Sequence, residues 1–205
     1  MLINKQELQK LFPRVKDIDK LHSGLEKYLP EYHINTKERV CMFLAQYGHE
    51  TGGFTALIEN MNYSAERLLA VFPKYFKSIA EANQYARKPD MIASYVYGNR
   101  MGNGSPASKD GWNFRGRGVC HLTGRANYTA CSQDTKLDLI GNPDLACELD
   151  TGILVGCWYW EKRGLNNLAD KKDMTLATKA INGGVIGIKE RQSLYNILIS
   201  SKIMA

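Results

Sequence analysis

Apolar residues recur at three- and four-residue steps through most of this chain, and that period predicts helices. Residues 5–12 carry a weak helical pattern that Pro13 ends, and Ile18, Leu21, Leu25 and Tyr28 mark a second helix over 16–29. Asn35 and Glu38 have capping-box spacing, and Val40, Phe43, Leu44 and Tyr47 then form a stripe that Gly52 and Gly53 must stop. Ser64 is placed to cap a helix running to Pro73, and 78–87 and 90–97 read as two further short helices. From Gly98 to Gly118 the helical period vanishes in the glycine-rich stretch GNRMGNGSPASKDGWNFRGRG, which predicts a long functional loop. Residues 119–122 predict a short strand, and 125–132, 152–162, 175–181 and 189–200 predict helices, with Gly164, Gly183 and Gly184 as stops. The expectation is a single mainly α domain over 1–205, split into two lobes with the 98–118 segment at their junction.

Composition narrows the class without choosing a function. The 205 residues are 44% hydrophobic and 23% charged, near globular averages, which excludes disorder, collagen-like repeats and coiled-coil fibres. Twenty-seven Lys and Arg against 21 Asp and Glu leave a net charge of +6, which suits polyanionic partners: wall polymers, nucleic acid and acidic lipid alike. Five cysteines form an odd set with no C-x-x-C pair, so reduced thiols in a cytoplasm are expected rather than a disulfide framework or zinc knuckle. The start, MLINKQELQKLFPRV, lacks the apolar stretch of a secretory signal. The longest apolar run, from Gly152 to Trp160, is about half of what a helix needs to cross a bilayer, so a buried helix is expected and stable membrane insertion is not.

Candidate chemistry begins at His49-Glu50-Thr51-Gly52-Gly53. Zinc proteases carry a second histidine one turn after the first, and position 53 is glycine; His22, His33 and His121 do not rebuild a ligand set. Neither a metal nor another cofactor is expected. A carboxylate on the last turn of a helix faces the negative end of the macrodipole, which favours the proton that a general acid must hold. Glu59 follows nine residues later, and a reversal at Gly52-Gly53 would bring it back opposite Glu50. Two facing carboxylates are the minimum equipment for cleaving a glycosidic bond, although spacing alone leaves open that both are solvated surface residues. The run from Arg115 to Tyr128 reads as one wall of a polar site, and a phosphate cradle there lacks the G-x-x-x-x-G-K-[ST] arrangement. Cys120 beside His121 is not a thiol–imidazole pair, because neighbours on a strand point to opposite faces. Trp112, Tyr63 and Tyr97 could equally stack on sugars or pack the core.

Several fragments together resemble glycoside hydrolase family 19, the chitinase-like family that includes bacteriophage endolysins: HETGGF at 49–54, ENMNYSAERL at 59–68, NRMGNG at 99–104, FRGRGVCHLTGRANY at 114–128 and INGG at 181–184. The similarity runs from about residue 40 to 195 and looks most like the phage or prophage endolysin branch. It implies a lysozyme-like, mainly α (α+β) fold with two lobes around a cleft, at most a small β-hairpin, and inverting hydrolysis of a β-1,4-linked N-acetylated amino-sugar polymer. It carries over Glu50 as general acid, Glu59 as general base and Thr123 as the hydroxyl that orients the attacking water. Asn127, Asn182 and Arg191 fall on positions resembling substrate-contacting or cleft-supporting residues, His121 stands where the family usually has glutamine, and His121 and Tyr63 are expected with them among the substrate contacts.

These residues lead to the expectation of an endolysin that cuts the glycan strand of bacterial peptidoglycan. On that expectation it is a monomer held in the host cytoplasm until lysis, and it reaches the periplasm and cell wall through a holin-type membrane pore. Nucleic acid is not an expected partner. A chitinase, an enzyme cutting wall peptide or amide bonds, and a non-catalytic basic wall- or nucleic-acid-binding module are the rivals.

Overall fold

A computed structural model describes residues 3–204, so Met1, Leu2 and Ala205, the ends of the 1–205 span, lie outside the described residues. In chain order the α-helices are α1 Lys5–Leu11, α2 Ile18–Glu31, α3 Lys37–Glu50, α4 Ala65–Val71, α5 Ile79–Tyr85, α6 Pro89–Tyr97, α7 Asp110–Asn113, α8 Arg125–Thr135, α9 Leu149–Lys162, α10 Leu165–Asp170, α11 Met174–Asn182 and α12 Ile188–Ser200. Two 3₁₀ turns, Pro106–Ser108 and Pro143–Cys147, complete the regular structure. The mainly α expectation is met. Extended pairing among the described residues is limited to isolated bridges, Ile3 with Met204, Ile58 with Arg117, and Arg117 with Leu122. None of the described helices is long and apolar enough to cross a membrane.

The chain divides into two compact units. Among the described residues the first comprises 3–57, 118–120 and 144–204. Its centre is α3, whose Val40–Gly48 stretch is buried on every side, which explains why its apolar content exceeds a one-sided stripe. Helices α10, α11 and α12 pack against it, and α9 packs on both α2 and α10. Phe43, Tyr47 and Trp160 form an aromatic cluster with centroids 4.7–6.0 Å apart, and the Tyr47 hydroxyl donates to the Gly156 carbonyl at 3.1 Å. Gly156 is glycine for space: a Cβ there would fall 2.4 Å from Val119 Cγ2. Each large apolar side chain buried in this way contributes roughly 1.5–3 kcal/mol.

The second unit comprises residues 58–117 and 121–143. Its core gathers Met61, Leu68, Phe76, Ile92 and Val96, with Tyr75, Tyr85 and Tyr95 packed against them. Gly111 lets α7 lie directly on α6, since a Cβ there would meet the Ala93 carbonyl oxygen at 2.3 Å.

Three local expectations are corrected. Thr36, not Asn35, caps α3, its hydroxyl accepting from Arg39 N at 3.3 Å. The 98–118 segment is not purely loop, because it contains the 3₁₀ turn at 106–108 and α7. Residues 119–122 do not form a strand: Arg117 and Leu122 exchange backbone bonds of 3.2 and 2.8 Å, and the chain between them is a turn. Gly118 (φ +73°) and His121 (φ +46°) are both left-handed, which interrupts any extended run.

Candidate active site

Glu50 is the last residue of α3, and the helix is made to stop there. The Thr51 hydroxyl donates back to the Tyr47 carbonyl at 2.6 Å and accepts from Phe54 N at 2.8 Å, while Gly52 (φ +57°) and Gly53 (φ +84°) take left-handed conformations that glycine adopts freely. Arg191 from α12 donates through Nη2 to Glu50 Oε1. Its Nη1 donates to both the carbonyl and the side-chain Oε1 of Gln46, at 3.2 and 2.6 Å. Gln46 lies one turn before Glu50 and is itself held by Nε2 donating to Thr178 Oγ1 at 3.1 Å. Arg191 Nε has no hydrogen-bond partner among the described residues, so the two terminal nitrogens set the guanidinium's orientation.

This network places the Glu50 carboxylate from three helices, α3, α11 and α12. The helix end considered at the level of sequence is joined by a charged partner that no local pattern announced. Arg191 is 1% exposed, its terminal nitrogens turned to Gln46 and Glu50, so it acts on the carboxylate rather than reaching a ligand itself. His49 is half-buried, and Gly187 comes so close that a Cβ there would fall 2.2 Å from its Nε2. Burial, and then the Arg191 charge, push His49 below its ordinary value of 6.5, so the ring is neutral at pH 7. Asn182, at the end of α11, is exposed, its amide donating to the Ile186 carbonyl at 3.5 Å.

The second unit assembles the other candidates around Gly116. The Glu59 backbone N–H donates to the Gly116 carbonyl at 3.0 Å, and the Gly116 N–H returns to Glu59 Oε1 at 2.8 Å. The Tyr97 hydroxyl donates to Glu59 Oε2 at 2.9 Å, so both carboxylate oxygens are engaged. The place a Gly116 Cβ would occupy is 3.3 Å from both Glu59 Cδ and Thr123 Oγ1, which puts carboxylate and hydroxyl beside one bare backbone position. The Thr123 hydroxyl donates to the His121 carbonyl at 2.8 Å. Its proton is therefore committed, and toward a water it acts as an acceptor.

Asn127 secures the Thr123 backbone by donating Nδ2 to the Thr123 carbonyl at 2.8 Å. Tyr63 packs edge-on to Phe72 with centroids 5.4 Å apart, and burial together with the nearby Glu59 charge raises its phenol above the usual range. The glycine-rich segment owes its order to an ion pair. Arg125 makes a two-pronged contact to Asp110 at 2.6 and 2.8 Å, and Asp110 Oδ2 also accepts from Gly104 N at 2.9 Å. The Arg125 guanidinium holds the Asp110 carboxyl below its usual value. Asn103 then links Arg125 N to the Tyr97 carbonyl with bonds of 2.8 and 2.9 Å.

Glu59, Tyr63, His121, Thr123 and Asn127 are thus brought together in the second unit, and Glu50 and Arg191 are joined in the first. Sequence reasoning missed Gln46, whose signal was its position one turn before Glu50. It missed Gly116 within the FRGRG stretch, and it weighed Tyr97 solely as a stacking or packing aromatic. Among the described residues no three His, Cys, Asp or Glu side chains gather as a metal ligand set.

No family model matches the chain. A glycosyl hydrolase family 19 domain-containing protein of Haemophilus influenzae is 38% identical over 199 residues, spanning 97% of this chain and 96% of that protein. An acidic endochitinase of Petunia hybrida is 36% identical over 64 residues, 31% of this chain and 22% of that protein. Among solved structures, a bacterial family 19 chitinase superposes with a TM-score of 0.65 at 21% identity, covering 100% of this chain and 98% of that one. Chitinase C of Streptomyces griseus gives 0.62 at 19% identity, covering 99% and 78%. At such identities the structural likeness establishes the fold.

Proposed function

Since this chain belongs to glycosyl hydrolase family 19 and is a glycoside hydrolase, we propose that it is an endolysin of the phage or prophage type, cleaving β-1,4 bonds in the glycan strand of bacterial peptidoglycan with inversion. The observation that carries the chemistry is the grouping of Glu59, Thr123 and Gly116 in one unit, with Glu50 clamped by Arg191 in the other. On this reading Glu50 gives its proton to the leaving glycosidic oxygen. A water loses one proton to Glu59 and points its other hydrogen at Thr123 Oγ1, which leaves a lone pair for the anomeric carbon. Solvent returns the proton from Glu59 to Glu50 after product leaves.

The net charge of +6 supports a polyanionic polymer such as the wall. The reading includes a monomer that stays in the host cytoplasm until lysis and gains the periplasm and wall through a holin-type pore. Hydrolysis of chitin is the second reading, favoured by the chitinases among the similar proteins.

Side-by-side digestion of purified peptidoglycan and chitin oligosaccharides separates the two. We expect soluble wall fragments with new reducing sugar ends, whose first-formed anomer by NMR is α. Turnover of chitin alone would replace the wall substrate, new amino ends without reducing ends would remove glycan cleavage, and a first-formed β anomer would remove inversion.

Gly116→Ala tests the water site. The added methyl would press on both Glu59 and Thr123, so kcat is expected to fall about 10- to 100-fold, the scale of a small misplacement at a reacting centre. The melting temperature should stay within a few degrees, and an unchanged kcat would remove the water from this position.

A further inference from the structure

We infer that Tyr97 is a positioning residue for the general base, its phenol fixing the plane in which the Glu59 carboxylate receives a proton from water. The inference rests on the assignment of Glu59 as base made above. The terminal torsion of a glutamate is broad and roughly two-fold, so the side chain alone does not choose a carboxylate plane. One donor, the Gly116 N–H on Oε1, leaves the group free to swing about that bond. The Tyr97 hydroxyl donates to Oε2 at 2.9 Å, and with both oxygens held the rotation of the carboxylate about its Cγ–Cδ axis is fixed. The proton on Tyr97 is secure, because burial and then the Glu59 charge push the phenol well above its ordinary range.

The tyrosine is itself anchored. It ends α6, and its carbonyl accepts from Asn103, whose side-chain oxygen holds the first N–H of α8 at Arg125, which grips Asp110. The glycine-rich segment between Gly98 and Gly116 therefore spans from one holder of the carboxylate to the other. Its order is transmitted to Glu59 at both oxygens. A stacking role on sugar, the alternative raised by an aromatic at this point in the sequence, would give the hydroxyl no reason to be spent on Glu59.

The test is a mutant cycle on the full chain, assayed with soluble chitin hexasaccharide or uncrosslinked glycan-peptide strands, whichever the parent protein cleaves faster. Tyr97→Phe keeps the ring and deletes the donor, and we expect kcat to fall about 10- to 100-fold with KM within twofold and melting unchanged within a few degrees. In a Glu59→Ala background the same substitution should cost nothing further, since its only route to the reaction has been removed. A purely structural role would lower both backgrounds alike and would overturn the inference. A raised KM with intact kcat would instead mark Tyr97 as a sugar contact. Wild-type kcat for Tyr97→Phe beside a crippled Glu59→Ala would sink the inference alone, whereas a fully active Glu59→Ala would remove the base assignment and the inference with it.

Discussion

Glu50→Gln is expected to fold with wild-type helix content and to release reducing ends about 10²- to 10⁴-fold more slowly than the parent protein. The amide oxygen still accepts from Arg191 Nη2, so the shape of the site survives while the transferable proton does not. Glu59→Gln should lose activity on the same scale for the opposite reason: an amide takes no proton from water, and its NH2 group faces a donor where a carboxylate oxygen stood. Release of reducing sugar from a purified glycan checks both variants, and near-normal rates in either would remove that residue from the chemistry. Circular dichroism recorded on the same samples separates a chemical loss from an unfolded one.

Arg191→Met should be the most destabilising change near the acid. It strips the partner from the Glu50 carboxylate and two bonds from Gln46 in a region where the guanidinium is 1% exposed. Removing one member of a buried ion pair typically costs 3–5 kcal/mol, and roughly 3 kcal/mol is expected here because the Glu50 side chain keeps 19% exposure to water. Activity should fall as well, since α3 then presents a carboxylate that nothing aims. Urea unfolding of the single and double variants checks the cause. If the cost is an uncompensated charge, Arg191→Met combined with Glu50→Gln will recover part of the stability lost by Arg191→Met alone. Additive losses would assign the effect to packing.

The helices were legible because their cause is local. A helix buries a face that recurs every three to four residues, and the stripe of Val40, Phe43, Leu44 and Tyr47 states this directly. Ser64 before α4 and Asp173 before α11 accept from backbone N–H groups as residues of their type do at helix starts. Failures fall where a local rule had competitors. Asn35 and Thr36 are both good caps, and register against the rest of α3 chose the threonine. Helices α7 and α10, four and six residues long, are too short for a period to show. The apparent strand at 119–122 was undone by two left-handed residues, one of them a histidine.

The candidate site divides in the same way. Sequence by itself determined the helical class and, through motifs such as HETGGF and FRGRGVCHLTGRANY, the glycoside hydrolase class, and it singled out Glu50, Glu59 and Thr123 as candidates. The resemblance named Arg191 as a substrate-contacting or cleft-supporting position, but the sequence did not join it to Glu50 or show what holds Glu59. Arg191 is 141 positions from Glu50, Gly116 is 57 from Glu59, and Tyr97 is 38 from Glu59. Nor did it assign the Thr123 proton to the His121 carbonyl, which leaves that hydroxyl an acceptor. The physical reason is range. Periodicity and capping are set by bonds between residues three or four apart, whereas the aim of a carboxylate is set by whichever donors the packing of distant helices and loops delivers to its two oxygens.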